Sequence, residues 1–220
     1  MNTFENIRHN DKNAVITVYG NSQISIEPNI TEVQLGVATE NTSVQQAQQE
    51  NARIMQQIQQ ALQALNIPPE NRRTSEFSVQ PIYHHTDGVQ QLSRYQVIHM
   101  LAVQLDNIKQ TGKIIDTAIQ HGANRVANVI FSVSHVDHHY KQVLQLAVRD
   151  AYIKAEALAQ MFHLKLHPIP LSILEQTYMP PPTPYQSSAS AEIYGGFSTP
   201  IEPGSIELEA SVEVQFQYMK

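Results

Sequence analysis

IELEASVEVQFQY, residues 206–218, is the stretch that decides the fold class. Apolar residues alternate with Glu, Ser or Gln along its whole length. Because successive side chains of a β-strand point to opposite faces, this pattern predicts a strand with one buried and one exposed face. Strands of a doubly wound parallel sheet would read as continuous apolar runs, so the alternation favours an antiparallel sheet covered on one side.

Shorter segments with the same period predict further strands around residues 33–37, 77–79, 95–105 and 129–133. Apolar residues at three- and four-residue steps predict three helices, over about 43–65, 107–121 and 137–162. Ser43 with Gln46, and Asn107 with its own Gln three residues on, have the spacing of capping boxes. Asp137 is the predicted N-cap of the third helix, and Gly122 is predicted to end the second.

The predicted order is β-β-α-β-β-α-β-α-β-β, which defines an α+β fold: a mainly antiparallel sheet with three helices on one face. This order suggests a duplicated β-α-β-β unit, first over residues 31–105 and then over 126–217. Residues 1–13 read as a polar N-terminal tail, and residues 14–220 as one domain.

A loop rich in Pro, Ser and Gly is predicted over residues 179–204, where half of the chain's 12 prolines lie. A loop of this length in a compact domain is either disordered or functional, so its proline-stiffened part is a candidate contact surface. The residues predicted to contact another subunit or a partner protein are Pro180, Pro181, Pro182, Pro184, Tyr185, Tyr194 and Phe197.

Composition excludes several functional classes. With 14 Lys and Arg against 20 Asp and Glu, the chain has a net charge of −6 and lacks the basic surface that nucleic-acid binding requires. The absence of Cys excludes thiol catalysis, thiolate zinc sites and disulfides. No G-x-S-x-G elbow, P-loop or G-x-G-x-x-G sequence is present, and no cofactor is predicted.

Three histidines in the sequence HVDHH are candidate metal ligands, because neutral imidazoles bind Zn, Ni or Cu when several converge. They are His135, His138 and His139. The alternative is a set of solvated side chains at a strand-to-helix turn. Glu207 and Glu209 share one face of the last predicted strand, where a solvated strand edge is favoured over an acid/base pair.

Six motifs resemble the SIMPL domain family: ITVYG at 16–20, VQLGV at 33–37, TSEFSVQPIY at 74–83, GAN at 122–124, AVRDAYIKAEALA at 147–159 and TPIEPGSIELEASVEVQF at 199–216. The resemblance covers nearly the whole chain. It implies a bacterial protein that forms homo-oligomers, in some relatives ring-like or cage-like, with links to oxidative-stress tolerance and the cell envelope. It implies no common catalytic residues.

The first twelve residues are polar and of mixed charge, and no apolar run is long enough to cross a bilayer. We therefore expect no transmembrane segment and a cytoplasmic location, or a periplasmic or secreted one if a leader has been removed. The predicted function is that of a non-enzymatic SIMPL-type protein that self-assembles into a homo-oligomer, with an unknown protein partner. The alternative is a metal-binding or metal-dependent stress enzyme that uses the histidine cluster.

Overall fold

The computed structural model describes residues 14–86, 89–176, 185–187 and 199–219, and for residues 86 and 185–187 the backbone only. Two short 3-10 turns, Pro69–Asn71 and Ile108–Gln110, precede β3 and α2. The other described elements are β1 (Val15–Ile26), β2 (Ile30–Asn41), α1 (Val44–Ala64), β3 (Arg72–Thr86), β4 (Val89–Leu105), α2 (Thr111–Gln120), β5 (Arg125–Ser132), α3 (Val136–Met161), β6 (Lys165–Glu175), β7 (Tyr185–Ser187) and β8 (Ile206–Met219).

The α+β class and the antiparallel pairing are confirmed, and the order of elements matches the predicted one apart from an additional strand, β7. The strands form two sheets, however, rather than one. Their strand orders are β3-β4-β2-β5-β7 and β1-β8-β6. Helices α1 and α2 pack on the five-stranded sheet, whereas α3 contacts β1 and β6 of the three-stranded sheet. A period of two shows which face of a strand is buried but not which strand it pairs with, so the sequence pattern did not separate the sheets.

Two compact units follow from this pairing. One contains β1, α3, β6 and β8, and the other contains β2 to β5, α1, α2 and β7. The duplicated β-α-β-β unit is present in the topology, but its predicted second copy is wrong at the start. Strand β5 hydrogen-bonds to β2 in the larger sheet, and the strand that completes the α3-β6-β8 unit is β1. In both copies the last strand lies between the other two.

The core of the larger unit lies between its sheet and helices α1 and α2. Leu35, Val103 and Phe131 contribute from three strands, and Ile58 and Ile114 from the two helices; all five are at most 1% exposed. Asn51 is the polar exception on α1, with 1% exposure. Its side-chain amide donates to the carbonyls of two neighbouring strands, which ties the helix to the sheet.

Close packing of α3 on β1 organises the smaller unit. The alanine stripe of α3 is buried, as the sequence predicted, and it packs on its own sheet: Ala147, Ala151, Ala155 and Ala159. Gly20 of β1 lies beneath it. A Cβ on Gly20 would be 1.9 Å from the carbonyl oxygen of Ala147, so only glycine lets the helix approach this closely.

The helix ends differ from the predicted caps in detail. Ser43 is the N-cap of α1, but its hydroxyl contacts the Gln45 side chain, and no capping box forms. The N-cap of α3 is His135 in a left-handed conformation with φ 55°, so Asp137 falls in the first turn instead. Gly122, with φ 101°, follows α2 as predicted.

Strand β7 was not predicted, because the surrounding sequence reads as loop. Its backbone pairs with β5, from Tyr185 opposite Phe131 to Ser187 opposite Val129. Strand β5 therefore pairs with β2 on one side and with β7 on the other. Through β7, a short piece of the Pro-rich segment forms part of the larger sheet. Neighbouring strands, rather than local composition, specify this element.

Candidate functional site

The structure brings together only part of the predicted histidine cluster. The His138 and His139 rings meet edge to face in the first turn of α3, with centroids 5.8 Å apart. His138 Nε2 also lies 3.3 Å from the Gln142 side-chain nitrogen. In the part of the chain that is described, no group of three or more His, Asp or Glu side chains is arranged to hold a metal ion.

His135 precedes these two residues in a left-handed backbone conformation, which His adopts more readily than β-branched residues do. Metal binding by His135, His138 and His139 remains a prediction. Metal analysis of the purified protein beside a His138→Ala variant tests it, since a bound transition metal should be lost with that imidazole.

Three histidines of strands β3 and β4, His84, His85 and His99, do not form a cluster with the HVDHH residues. His84 and His85 are consecutive on β3, opposite Gln91 and Gln90 of β4, so they point to opposite faces. His99 is half-buried on β4. Its ring lies edge-on to Phe77, with centroids 5.3 Å apart, and its pKa is lowered by burial.

The predicted contact residues of the Pro-rich loop lie largely outside the described residues. This applies to Pro180, Pro181, Pro182, Pro184, Tyr194 and Phe197. Tyr185 begins β7, and its backbone pairs with β5, but its side chain is also outside the description. Their role in subunit contact remains a prediction.

The two carboxylates near the C-terminus do not lie on a sheet edge. Strand β8 is the central strand of the three-stranded sheet, flanked by β1 and β6. Glu207 accepts a hydrogen bond from the Gln23 side chain at 3.1 Å, and both Glu207 and Glu209 are exposed. The prediction that Glu207 and Glu209 lie on an edge strand was therefore wrong, whereas the prediction that their side chains are solvated is confirmed.

Exposed apolar side chains form the first surface that the sequence pattern missed. Strands β3 and β4 continue as a two-stranded ribbon towards their turn, beyond Tyr95, the first β4 residue that pairs with β2. Phe77 and Val79 lie before this ribbon, opposite β4 residues that also pair with β2, and Tyr83 lies within it. The side chains of Phe77, Val79 and Tyr83 alternate along one face of β3 and are 53%, 41% and 46% exposed. Leu92 of β4 lies opposite Tyr83 and is 49% exposed. We call these four residues the arm surface.

A second exposed apolar group lies on β6, at the edge of the smaller sheet. Its members are Ile169, Leu171, Ile173 and Leu174, each more than half exposed, and we call them the β6 surface. Leu174 directly follows Ile173 and points to the other side of the strand, so the group is exposed on both sides of this edge. Edge strands are usually protected by Pro or charged residues. In β6 the prolines precede residue 171, so the run from Leu171 to Leu174 has neither protection.

Comparison with known proteins identifies the family of this chain. The profile of the SIMPL family, described as a protein of unknown function (DUF541), matches residues 16–216. The chain belongs to the SIMPL family. The fold described above, with Gly20 of the ITVYG motif beneath the alanines of α3, is therefore that of a SIMPL protein.

Several relatives of this SIMPL chain are known. The uncharacterized protein YggE of Escherichia coli (strain K12) is 24% identical over 205 residues, which cover 92% of this chain and 82% of YggE. The 26 kDa periplasmic immunogenic protein of Brucella melitensis biotype 1 is 24% identical over 212 residues, covering 93% of this chain and 84% of the relative. Neither name specifies a reaction.

The described part of the SIMPL chain contains no helix that is both long enough and apolar enough to cross a bilayer.

The exposed apolar residues of the arm and β6 surfaces lie on strands. The sequence pattern predicted the strand around Phe77 and Val79 but implied that these residues are buried. The sequence pattern predicted β4 only from residue 95, so the part of the hairpin formed by residues 89–94 was not predicted.

Proposed function

We propose that this SIMPL protein is a non-enzymatic building block that assembles with copies of itself through the arm surface and the β6 surface. The observation that supports it most is the exposed apolar face of β3, which runs from Phe77 and Val79 into the ribbon beyond Tyr95, where Tyr83 faces Leu92. A two-stranded ribbon is marginally stable in water on its own, so a partner that covers this face stabilises it.

The size of the two surfaces favours assemblies in which each copy uses both. A half-exposed Phe or Tyr side chain presents about 100 Å² to water, and the aliphatic side chains present roughly 80 Å² each. Each surface of four side chains therefore offers about 350 Å², well below the roughly 800 Å² per partner of a typical stable interface. Together they approach that area.

The free-energy balance leads to the same conclusion. At about 25 cal/mol per Å², one surface contributes roughly 9 kcal/mol per copy on burial, which is comparable with the 4–15 kcal/mol cost of association. A single contact is thus weak. A closed ring, in which every copy buries both surfaces, gains from two contacts per subunit.

The experiment is size-exclusion chromatography with multi-angle light scattering. We expect the wild-type mass to be a multiple of the 24.8 kDa chain. Leu92→Lys should lower that mass, because a charge on the arm surface must be desolvated on contact. Leu146→Lys is the matched control, since Leu146 is a similarly exposed leucine of α3, at 43%, outside both surfaces.

A wild-type mass of one chain at every concentration would contradict self-assembly. Equal effects of Leu92→Lys and Leu146→Lys would instead contradict the assignment of the arm surface. Deleting residues 188–196 tests the predicted role of the Pro-rich loop in the same assay. If the mass of the assembly is unchanged by this deletion, the loop does not join subunits.

The compartment and the physiological role remain predictions. The sequence predicts the cytoplasm unless a leader has been removed, whereas the name of the Brucella relatives, periplasmic immunogenic protein, supports the periplasmic alternative. The envelope-related or stress-related role predicted from the family likewise awaits measurement. Fractionation of cells that express the protein, with periplasmic and cytoplasmic markers, distinguishes the two locations.

A further inference from the structure

A cavity of about 330 Å³ lies on the five-stranded sheet, on the face opposite α1 and α2. One cross-strand row of residues runs through it. Glu76 of β3 pairs with Met100 of β4, Met100 pairs with Gly36 of β2, and Gly36 pairs with Arg125 of β5. We call this row and its depression the trough.

Gly36 is the one residue of the row without a side chain. The sulfur of Met100 lies only 2.8 Å from where a Cβ of Gly36 would be, so the methionine leans over the glycine and forms an apolar floor. Met100 is 6% exposed. Register shifts flank the trough on β3 and between β2 and β5, and such bulges often re-aim side chains beside binding sites.

The two ends of the trough carry opposite charges. Within the described residues, neither Glu76 nor Arg125 has an ion-pair partner, whereas two other carboxylates of this sheet are paired: Glu32 with Arg73 and Glu40 with Arg94. Glu76 accepts one hydrogen bond, from the Ser78 hydroxyl at 3.2 Å. An anionic group can therefore bind at one end and a cationic group at the other.

The spacing of the strands sets the length of the ligand. Three steps of about 4.8 Å separate β3 from β5, so the backbones of the two end residues lie roughly 14 Å apart, and side chains that stand perpendicular to the sheet keep their charged groups at about that separation. Two hydrogen bonds of about 2.8 Å leave a ligand whose charges are about 8 Å apart. At about 3.4 Å per residue, this is the distance between the termini of an extended dipeptide or tripeptide.

We propose that the trough binds a short free peptide as an extended zwitterion. The Arg125 guanidinium donates to the terminal carboxylate, an interaction for which its planar fork is suited. The Glu76 carboxylate accepts from the terminal ammonium group, and the flexible Met100 side chain accommodates different peptide side chains. The trough is separate from the arm surface, since Glu76 and Phe77 are consecutive on β3 and point to opposite faces.

Isothermal titration calorimetry with the tripeptide alanyl-leucyl-alanine tests the proposal on the full chain. Its N-acetylated and C-amidated forms each remove one terminal charge. We expect the free tripeptide to bind on the order of tenfold more tightly than either blocked form, as the loss of one charge-assisted hydrogen-bonding group predicts. N-acetylated peptide that binds as well as the free form would indicate a site for protein C-termini and would overturn the proposal.

Arg125→Gln should weaken binding of the free tripeptide on the order of tenfold and leave binding of the C-amidated form unchanged, because that form lacks the carboxylate. Arg149→Gln, at an exposed arginine of α3, is the matched control. The absence of saturable binding, equal affinities for all three peptides, or equal effects of the two variants would each overturn the proposal. None of these results depends on whether the chain self-assembles.

Discussion

Gly20→Ala should destabilise the smaller unit by steric conflict with α3. The added methyl carbon would lie 1.9 Å from the Ala147 carbonyl oxygen and 2.7 Å from the Ala151 backbone nitrogen. A carbon–oxygen contact is ordinarily about 3.3 Å, so the helix has to withdraw by about 1.4 Å. Both obstacles are backbone atoms, and no side-chain rotation can relieve them.

The expected loss is about 3 kcal/mol. Overpacking costs typically about 1–3 kcal/mol, and a gap of about 1 Å already forfeits up to half of the dispersion energy of the atoms that face it. Withdrawal of α3 opens such a gap along its buried face, which includes Val143 and the alanine stripe. The estimate therefore lies at the upper end of the range.

Urea denaturation followed by far-ultraviolet circular dichroism measures this loss, and hydrogen exchange with mass spectrometry localises it to β1, α3, β6 and β8. Ser25→Ala, an exposed position on the same strand, is the control and should change the free energy of unfolding by less than about 0.5 kcal/mol. Adding Ala151→Gly to Gly20→Ala should not restore stability, because the Ala147 oxygen remains in place. A loss below about 1 kcal/mol, or rescue by Ala151→Gly, would refute the steric reasoning.

Three further predictions concern the larger unit. Burial lowers the pKa of the His99 imidazole below its ordinary value of 6.5, so on acidification the unfolded state is protonated at this residue before the folded state is. The free energy of unfolding therefore falls as the pH drops through 6.5. In His99→Gln this contribution is missing, and the urea midpoint should decline less over the same pH range. Asn51→Ala should lower the free energy of unfolding by about 2 kcal/mol in the same titrations, because two strand carbonyls lose a buried donor. Asp116→Ala should speed proteolysis near Thr199, whose backbone N–H and hydroxyl both donate to Asp116, whereas Asp106→Ala, at an exposed neighbouring carboxylate, should not.

Local patterns predicted most elements of this fold. The bounds of α1 and α3 agree with the sequence periodicity to within one or two residues, and Gly122 follows α2 in the conformation expected of it. The caps were less accurate. Asp137 is a good N-cap residue by type, yet His135 occupies that position, because the turn from β5 into α3 sets where the first helical residue falls.

The candidate sites could be predicted only in part, for a different reason. The arm surface depends on β4 continuing beyond its last partner in β2, and the trough depends on residues 36, 76, 100 and 125 being aligned across four strands. Neither relationship is visible in a linear pattern. The histidine motif, by contrast, was visible in sequence, but its backbone directions bring only two rings into contact.

The sequence by itself determined the class of most segments, the buried faces of the helices and of β8, and membership of the SIMPL family, because these depend on residue type and spacing along a few turns or a few strand residues. The tertiary structure alone decided that β1 rather than β5 completes the unit of α3, that β8 is central, and that β3 and β6 are edges. Strand pairing joins residues distant in the chain through backbone hydrogen bonds, and every non-proline residue offers these groups, whatever its side chain.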